Sequence, residues 1–445
     1  MTDQDRVQPY REKPFYWQYK GKPVLLIGGS VEDNLFQIPG LEAHLDLLAS
    51  VGGNYVRCTM SSRDEGDVWP FEQDAETGLY DLDKPGQVYW ERFRCFMELT
   101  AEREIFAQFE MWDRFDFARD PWQSNPYNPK NNINYTVEES GLKEEIWTHP
   151  GRKESAFFRS VPARENNTVV LKYQQAQVDQ MLAISLQYGH VLYCMDNETN
   201  ESPEWGKYWS EYIKAKAKDA GVGVETTEMW DDHNLLGEGH GNTLDHPELY
   251  SFVDISQNNH QVGKVHWDNP QEIRKRVAGS GHVRPLNCVK IYGANTGRYG
   301  TNRDAQERFW RNILGGLASS RFHRPPAGLG LSETPQAHLK AMRTVTDDVD
   351  VFSCEPHLDL VDDRSVNEAY CAANPGIEYV VFFPDGGHVL LDVSAAEGKM
   401  LTVRWMDIRR GAWVGEAAAI VAEEGKVRLV TPVEEGYWTA VVKAS

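Results

Sequence analysis

The sequence predicts an α/β fold, a (β/α)8 TIM barrel followed by a small antiparallel β-sandwich. Three observations carry that prediction. From Lys22 onward, short apolar runs alternate about eight times with longer segments of helical character, and hydrophobic strands separated by helices read as a parallel sheet covered on its faces. Eight such units close into a barrel of roughly 250 residues or more, which a chain of 445 residues accommodates with room for a second module. After about Val349 the helices stop and short strand-like runs follow one another with turn residues between them, the pattern of a sandwich. The barrel is placed at 15–350 and the sandwich at 355–445.

The barrel strands are read at Pro23–Gly28, Asn54–Cys58, Ile105–Met111, Val191–Met195, Gly223–Thr227, Ser251–Ile255, Asn287–Ile291 and Ala318–Phe322. Helices are read at Gly40–Val51, Val88–Arg103, Val169–Tyr188, Glu204–Ala220, Pro270–Ala278 and Ala305–Leu317. A long polar insert lies between Trp112 and Arg164; loops of that length are usually functional, so it is expected to wall the site. In the tail, Ala369–Ala373, Glu378–Phe383, His388–Val393, Leu401–Met406, Val427–Val430 and Tyr437–Lys443 read as strands, with Pro384-Asp385-Gly386-Gly387 as a hairpin turn. The link near Asp347–Pro356 lacks the Gly/Ser-rich composition of a tether, so the tail is expected to dock on the barrel.

Composition narrows the partners. Asp and Glu number 67 against 46 Lys and Arg, a formal net charge of −21, which repels phosphate backbones and anionic lipid. Neither nucleic acid nor a membrane is expected as a partner. No stretch approaches the ~20 apolar residues of a membrane helix, and Met1–Lys13 lacks the apolar region of a signal peptide. A cytoplasmic location is expected, or a secreted or periplasmic one where a signal has been removed. The six cysteines show no paired spacing, and Cys58, Cys194 and Cys288 sit in apolar runs, as buried thiols do. Asp231-Asp232-His233 and Glu238-Gly-His240 match no zinc spacing. There is no phosphate-binding loop, no dinucleotide fingerprint and no serine-hydrolase elbow. No metal and no cofactor is expected. The 14 Trp, 19 Tyr and 17 Phe suit the stacking of flat sugar rings, and a large core consumes them equally well.

In a barrel of this kind the site forms at the carboxyl ends of the strands. That rule selects Arg57 after the second strand, Glu110, Trp112 and Asp113 after the third, and Asn197 and Glu198 after the fourth. It adds Glu228, Trp230 and Asp231 after the fifth, His260 after the sixth, Lys290 and Tyr292 after the seventh, and Arg321 and His323 after the eighth. The sharpest of these is Val191-Leu-Tyr-Cys-Met-Asp-Asn197-Glu198, an apolar strand that ends in an amide beside a carboxyl. Glycoside cleavage needs one carboxylic acid to protonate the departing oxygen and a neighbour to hold the sugar. A helix start capped by Asn197 or Thr199 explains the same residues without chemistry. Trp112 and Trp230 are candidates for stacking on pyranose faces, and each reads equally as a buried aromatic.

The stretch Tyr19-Lys-Gly-Lys-Pro-Val-Leu-Leu-Ile-Gly-Gly-Ser30, with Gly53-Asn-Tyr-Val-Arg57, resembles the opening of clan A glycoside hydrolases, particularly DUF4038-like and family 5-like barrels. The resemblance implies that Glu198, in the fourth-strand Asn-Glu, is the general acid/base and that Arg57 closes the second strand. The tail from Tyr379-Val-Val-Phe-Phe through Val403-Arg-Trp-Met-Asp407 to Gly436-Tyr-Trp438 is similar to a β-sandwich, named for collagen binding, that follows such barrels. That name does not establish collagen binding here.

One position departs from the family. The seventh strand should end in the nucleophilic glutamate, but Arg284-Pro285-Leu-Asn-Cys-Val-Lys290-Ile-Tyr292-Gly293 carries Lys290 there, and no Asp or Glu follows before Asp304. Lysine forms no glycosyl ester, so three readings stay open. In the first, Glu228 or Asp231 supplies the second carboxylate of a glycoside hydrolase. In the second, Lys290 serves an acidic sugar as a fixed charge or as an elimination base. In the third, the barrel binds a carbohydrate without cleaving it. A salt bridge from Lys290 to Glu198 or Glu228 accounts for the lysine on structural grounds alone. The sequence is silent on the sugar and on the oligomeric state.

Overall fold

The computed structural model describes residues 5–148, 155–295, 299–364 and 369–445. Eight parallel strands form the barrel: β1 (Leu26–Gly29), β2 (Tyr55–Cys58), β3 (Phe106–Asp113), β4 (Val191–Asn197), β5 (Glu225–Thr227), β6 (Val253–Asp254), β7 (Leu286–Asn287) and β8 (Ser319–Phe322). Six share one sheet in the order β5-β4-β3-β2-β1-β8, and β6 pairs with β7. The ring closes through Ser251 N–H to the Thr226 carbonyl at 2.9 Å on one side and Arg321 N–H to the Cys288 carbonyl at 3.1 Å on the other. The third and fourth strands run two residues beyond their expected ends, to Asp113 and Asn197, and β6 and β7 are shorter than expected. Close approach of β1 and β2 requires Gly28, where a Cβ would stand 1.8 Å from the Tyr55 carbonyl oxygen.

A hairpin of Phe71–Gln73 and Tyr80–Pro85 and the helix Glu333–Asp348 complete the barrel's surroundings; neither was read from the sequence. The insert folds into short helices around an aromatic core, in which Phe117 stacks on Phe157 at 4.0 Å. Its residues 149–154 lie outside the described residues.

The tail consists of β9 (Tyr370–Asn374), β10 (Glu378–Phe383), β11 (His388–Asp392), β12 (Leu401–Asp407), β13 (Ala412–Ile420), β14 (Lys426–Val430) and β15 (Trp438–Ala444). One antiparallel sheet runs Glu355–Pro356, β9, β10, β15, β12, β13, and the other runs Val361–Asp362, β11, β14. Pro384–Gly387 is therefore not a hairpin: β10 and β11 belong to different sheets, and the turn carries the chain between them. Alternation along β10 shows why every one of its residues is buried. Tyr379, Val381 and Phe383 fill the sandwich core, while Val380 and Phe382 join the core of the barrel. Phe382 stacks on Trp310 of the helix Asn302–Leu314 at 5.3 Å, and Arg303 of that helix pairs with Asp385 at 2.6 Å.

Candidate active site

A cavity of about 220 Å³ opens at the carboxyl ends of the strands, lined by Asp33, Arg57, Arg63, Phe115, Asn197, Glu198, Lys290, Tyr292, Tyr299, His323 and Arg324 among others. Lys290, buried on β7's extension, donates to Asn197 Oδ1 at 2.6 Å and to Glu198 Oε1 at 2.7 Å. In a regular strand successive side chains point to opposite faces, so two consecutive residues cannot both reach one ammonium. Glu198 resolves this with a φ of +67°. The β4–β5 ladder shows the same break: β4 pairs at Cys194 with Thr227, and pairing resumes only at Thr199 with Trp230. The fourth strand thus spends five residues where the fifth spends three, and the bulge turns Glu198 into the cavity.

Burial pushes the Glu198 carboxyl up, but the Lys290 ammonium and a 3.1 Å bond from Gln257 outweigh it and hold the group below its ordinary 4.5. Glu198 is therefore ionised at neutral pH. The cation beside Glu198 thus favours the ionised carboxylate over the protonated form expected of a general acid. Burial alone would push Lys290 down; the Glu198 charge reverses that and holds its pKa above the ordinary 10.5, which favours the ammonium over a neutral amine.

Beneath the cavity, charges are wired in sequence. Arg57 contacts Glu110 through Nε at 2.6 Å and Asp33 through Nη1 at 2.6 Å. Asp33 also receives Arg324 at 2.8 Å and Arg63 at 3.2 Å. Burial alone would raise Asp33, but the Arg57, Arg324 and Arg63 guanidiniums hold it well below its ordinary 3.8. Arg63 bonds Asp113, which accepts from Asn197 at 3.0 Å. Burial drives His323 well below its ordinary 6.5, so it lines the cavity as a neutral ring beside Tyr292 at 4.9 Å.

Several expected residues lie elsewhere. Glu228 is fully buried, and its Oε2 sits where a Cβ on Gly206 of the helix Pro203–Asp219 would stand 1.7 Å away. It faces the helix layer and does not line the cavity, so it is not the second carboxylate of Glu198. Asp231 and Trp230 line a separate cavity of about 450 Å³ with Glu201, Asp232 and Glu238. Trp112 packs against Trp209 at 5.3 Å and Phe157 at 5.3 Å in the helix layer and does not line the mouth cavity. Arg321 is buried inside the barrel and bonds Ser30 and the Val289 carbonyl. His260 stands behind Tyr292, with His233 at 4.0 Å. Of the insert's described residues, Phe115 lines the mouth cavity. The sequence reading missed Asp33, Arg63, Gln257, Tyr299 and Arg324. The acids of Ser30-Val-Glu-Asp33, just past the first strand, were the available signal for Asp33.

Solved structures share this architecture. A family 5 glycoside hydrolase from Bacteroides vulgatus ATCC 8482 matches over 100% of this chain and 95% of its own, with a TM-score of 0.63 at 12% identity. A structure described as a glycoside hydrolase matches over 100% of this chain and 98% of its own, with a TM-score of 0.65 at 10% identity. An endo-1,4-beta-mannanase from Rhizomucor miehei covers 78% of this chain and 99% of its own, with a TM-score of 0.52 at 14% identity. The fold is theirs. At this level of identity the likeness speaks for architecture, and neither a family model nor a curated protein sequence matches the chain. Among the described residues, no helix is long and apolar enough to cross a membrane.

Proposed function

We propose that this protein is a glycoside hydrolase that takes its glycan at the barrel mouth, with Glu198 working as an ionised carboxylate, a base or nucleophile, and not as a proton donor, the departing oxygen taking its proton from water. The carrying observation is the way Glu198 is held. Its two hydrogen bonds from described residues, from Lys290 and Gln257, both end on Oε1, which leaves Oε2 for a ligand in the cavity that Glu198 lines. Asp33, the other carboxylate among the described residues that line that cavity, has both oxygens taken up by Arg57, Arg63 and Arg324. The architecture shared with glycoside hydrolases supports the substrate class.

The test is a panel of 2,4-dinitrophenyl glycosides, whose leaving group departs without a proton. The parent should release dinitrophenol, and Glu198→Gln should lose activity by on the order of 10² or more. A Gln variant that keeps its rate on these substrates, and fails only on poor leaving groups, would return Glu198 to the acid role. A second reading, carbohydrate binding without cleavage, is favoured by the saturation of Asp33. Heat of glycan binding by calorimetry with no product from any substrate would establish it.

A further inference from the structure

Glu228 remains as a buried carboxyl that the reading above does not use. It lies against Thr199, the residue after Glu198, and Thr199 is the far anchor of the bulge. Thr199 N–H donates to the Met229 carbonyl at 2.7 Å, and Asp231 N–H donates to the Thr199 carbonyl at 2.8 Å. The Thr199 hydroxyl contacts two carboxyls, Asp196 Oδ2 at 3.2 Å and Glu228 Oε1. A hydroxyl has one proton to give, so it serves both carboxyls fully only if one of them is protonated and donates to it. Asp196 Oδ2 already receives Arg114 through Nε at 2.8 Å and Nη2 at 2.7 Å, which marks it as the anion. Among the described residues no lysine or arginine forms an ion pair with Glu228.

We propose that Glu228 is a neutral carboxylic acid that positions Glu198: its O–H donates to Thr199, the Thr199 O–H donates to Asp196, and this directed chain pins the bulge that turns Glu198 into the cavity. The positioning role rests on the reading of Glu198 as the working carboxylate; the protonation of Glu228 does not. The groups facing Glu228 are Asp196, Arg114, Thr199 and Tyr250, with Cys194 sensing the same charges. Burial, reinforced by the Asp196 charge, pushes the Glu228 carboxyl well above its ordinary 4.5. Burial likewise raises Asp196, to about 6, against the pull of Arg114, and the Arg114 contact favours the charge on Asp196 and the proton on Glu228. Gly206 reserves the room: any side chain there would occupy the place of the carboxyl.

Glutamine supplies an N–H donor of the same shape, so Glu228→Gln and Glu228→Ala separate the roles. Crystal structures at neutral pH should show Glu198 of the Gln variant at its positive φ and still bonded to Lys290. In the Ala variant, or in Thr199→Val where Ala does not fold, the bulge should relax and Glu198 should swing away from Lys290. On dinitrophenyl glycosides the Gln variant should keep kcat within about threefold, and the Ala or Val variant should lose kcat by on the order of tenfold or more with KM little changed. The melting temperature of the parent should fall as pH rises through the Glu228 titration, because a raised carboxyl stabilises the fold only while it holds its proton; Glu228→Gln should make that slope shallower, the remainder coming from other raised carboxyls such as Asp254. A Gln variant as inactive as Glu228→Ala would make Glu228 itself catalytic and overturn the proposal, as would an Ala or Val structure with Glu198 unmoved. If the parent cleaves nothing, the hydrolase reading falls, while the structures and melting curves still decide whether Glu228 is neutral and holds the bulge.

Discussion

Replacing Lys290 with methionine keeps the stem and removes the ammonium, and it tests the pair at the centre of the site. Lys290 is 2% exposed and its contacts to Glu198 and Asn197 are 2.7 and 2.6 Å. Breaking a buried pair by removing one partner costs about 3–5 kcal/mol. With about 2.1 cal/mol/K of unfolding entropy per residue over 445 residues, each kcal/mol lowers the melting temperature by about 1 °C if the chain unfolds as one unit. The Met variant should therefore melt about 3–5 °C below the parent at neutral pH. The pH dependence follows from the sign of each shift. In the parent, Glu198 lies below its ordinary 4.5, so its contribution is present above that value and fades as pH falls through the lowered one. In the variant, burial is opposed only by the Gln257 bond and the more distant Arg57 charge, the Glu198 pKa rises, and acidification now stabilises the fold by neutralising a stranded charge. The gap between the two melting curves should close between neutral pH and 4.5. Differential scanning calorimetry across that range measures it, and a gap that stays constant would show that Lys290 and Glu198 are not electrostatically coupled.

Other expectations follow from the same packing and charges. Phe382→Ala removes a fully buried ring from the face stacked on Trp310 and should cost about 3–5 kcal/mol in denaturant unfolding, with no change in any activity of the mouth. Deleting residues 357–445 should leave the barrel insoluble or strongly destabilised, because Trp310, Trp267 and His338 are stripped of their partners Phe382, Tyr370 and Tyr437; a soluble truncation with the parent's melting temperature would contradict this. Trp112→Phe should lower stability while leaving glycan affinity by calorimetry unchanged, since the indole packs on Trp205 and Trp209 and not on the cavity.

The fold was legible because its signals are long. Eight apolar runs separated by helical segments survive errors of two residues at each boundary, and β10 reads as a strand whichever face is considered. The residues the sequence could not place are those whose role depends on a partner far along the chain. Asp33 matters because Arg57, Arg63 and Arg324 converge on it, and all three are more than twenty residues away along the chain. Gln257 is a plain amide in the segment after β6 until the ring closes and brings it to Glu198. The Glu333–Asp348 helix carries Pro335 in its first turn, where proline is compatible with a helix.

The direction of a side chain at a strand end is the finer problem, and Glu198 and Glu228 show it side by side. Each follows the last residue of a barrel strand, β4 or β5, so the strand-end rule selects both and alternation gives no reason to separate them. What separates them is the backbone break at Glu198. Its positive φ puts two neighbours, Asn197 and Glu198, onto one ammonium. No such break is needed at Glu228, which turns into the helix layer where Gly206 leaves it a place. Left-handed backbone at a glutamate carries strain, and the surrounding bonds must hold it: Lys290 and Gln257 on the carboxylate, Thr199 on the chain. A motif search sees Asn-Glu and stops. The conformation that makes the dipeptide chemical is set by residues on β5, β6, β7 and their loops, and its strain is the reason a buried acid outside the cavity still bears on what happens inside it.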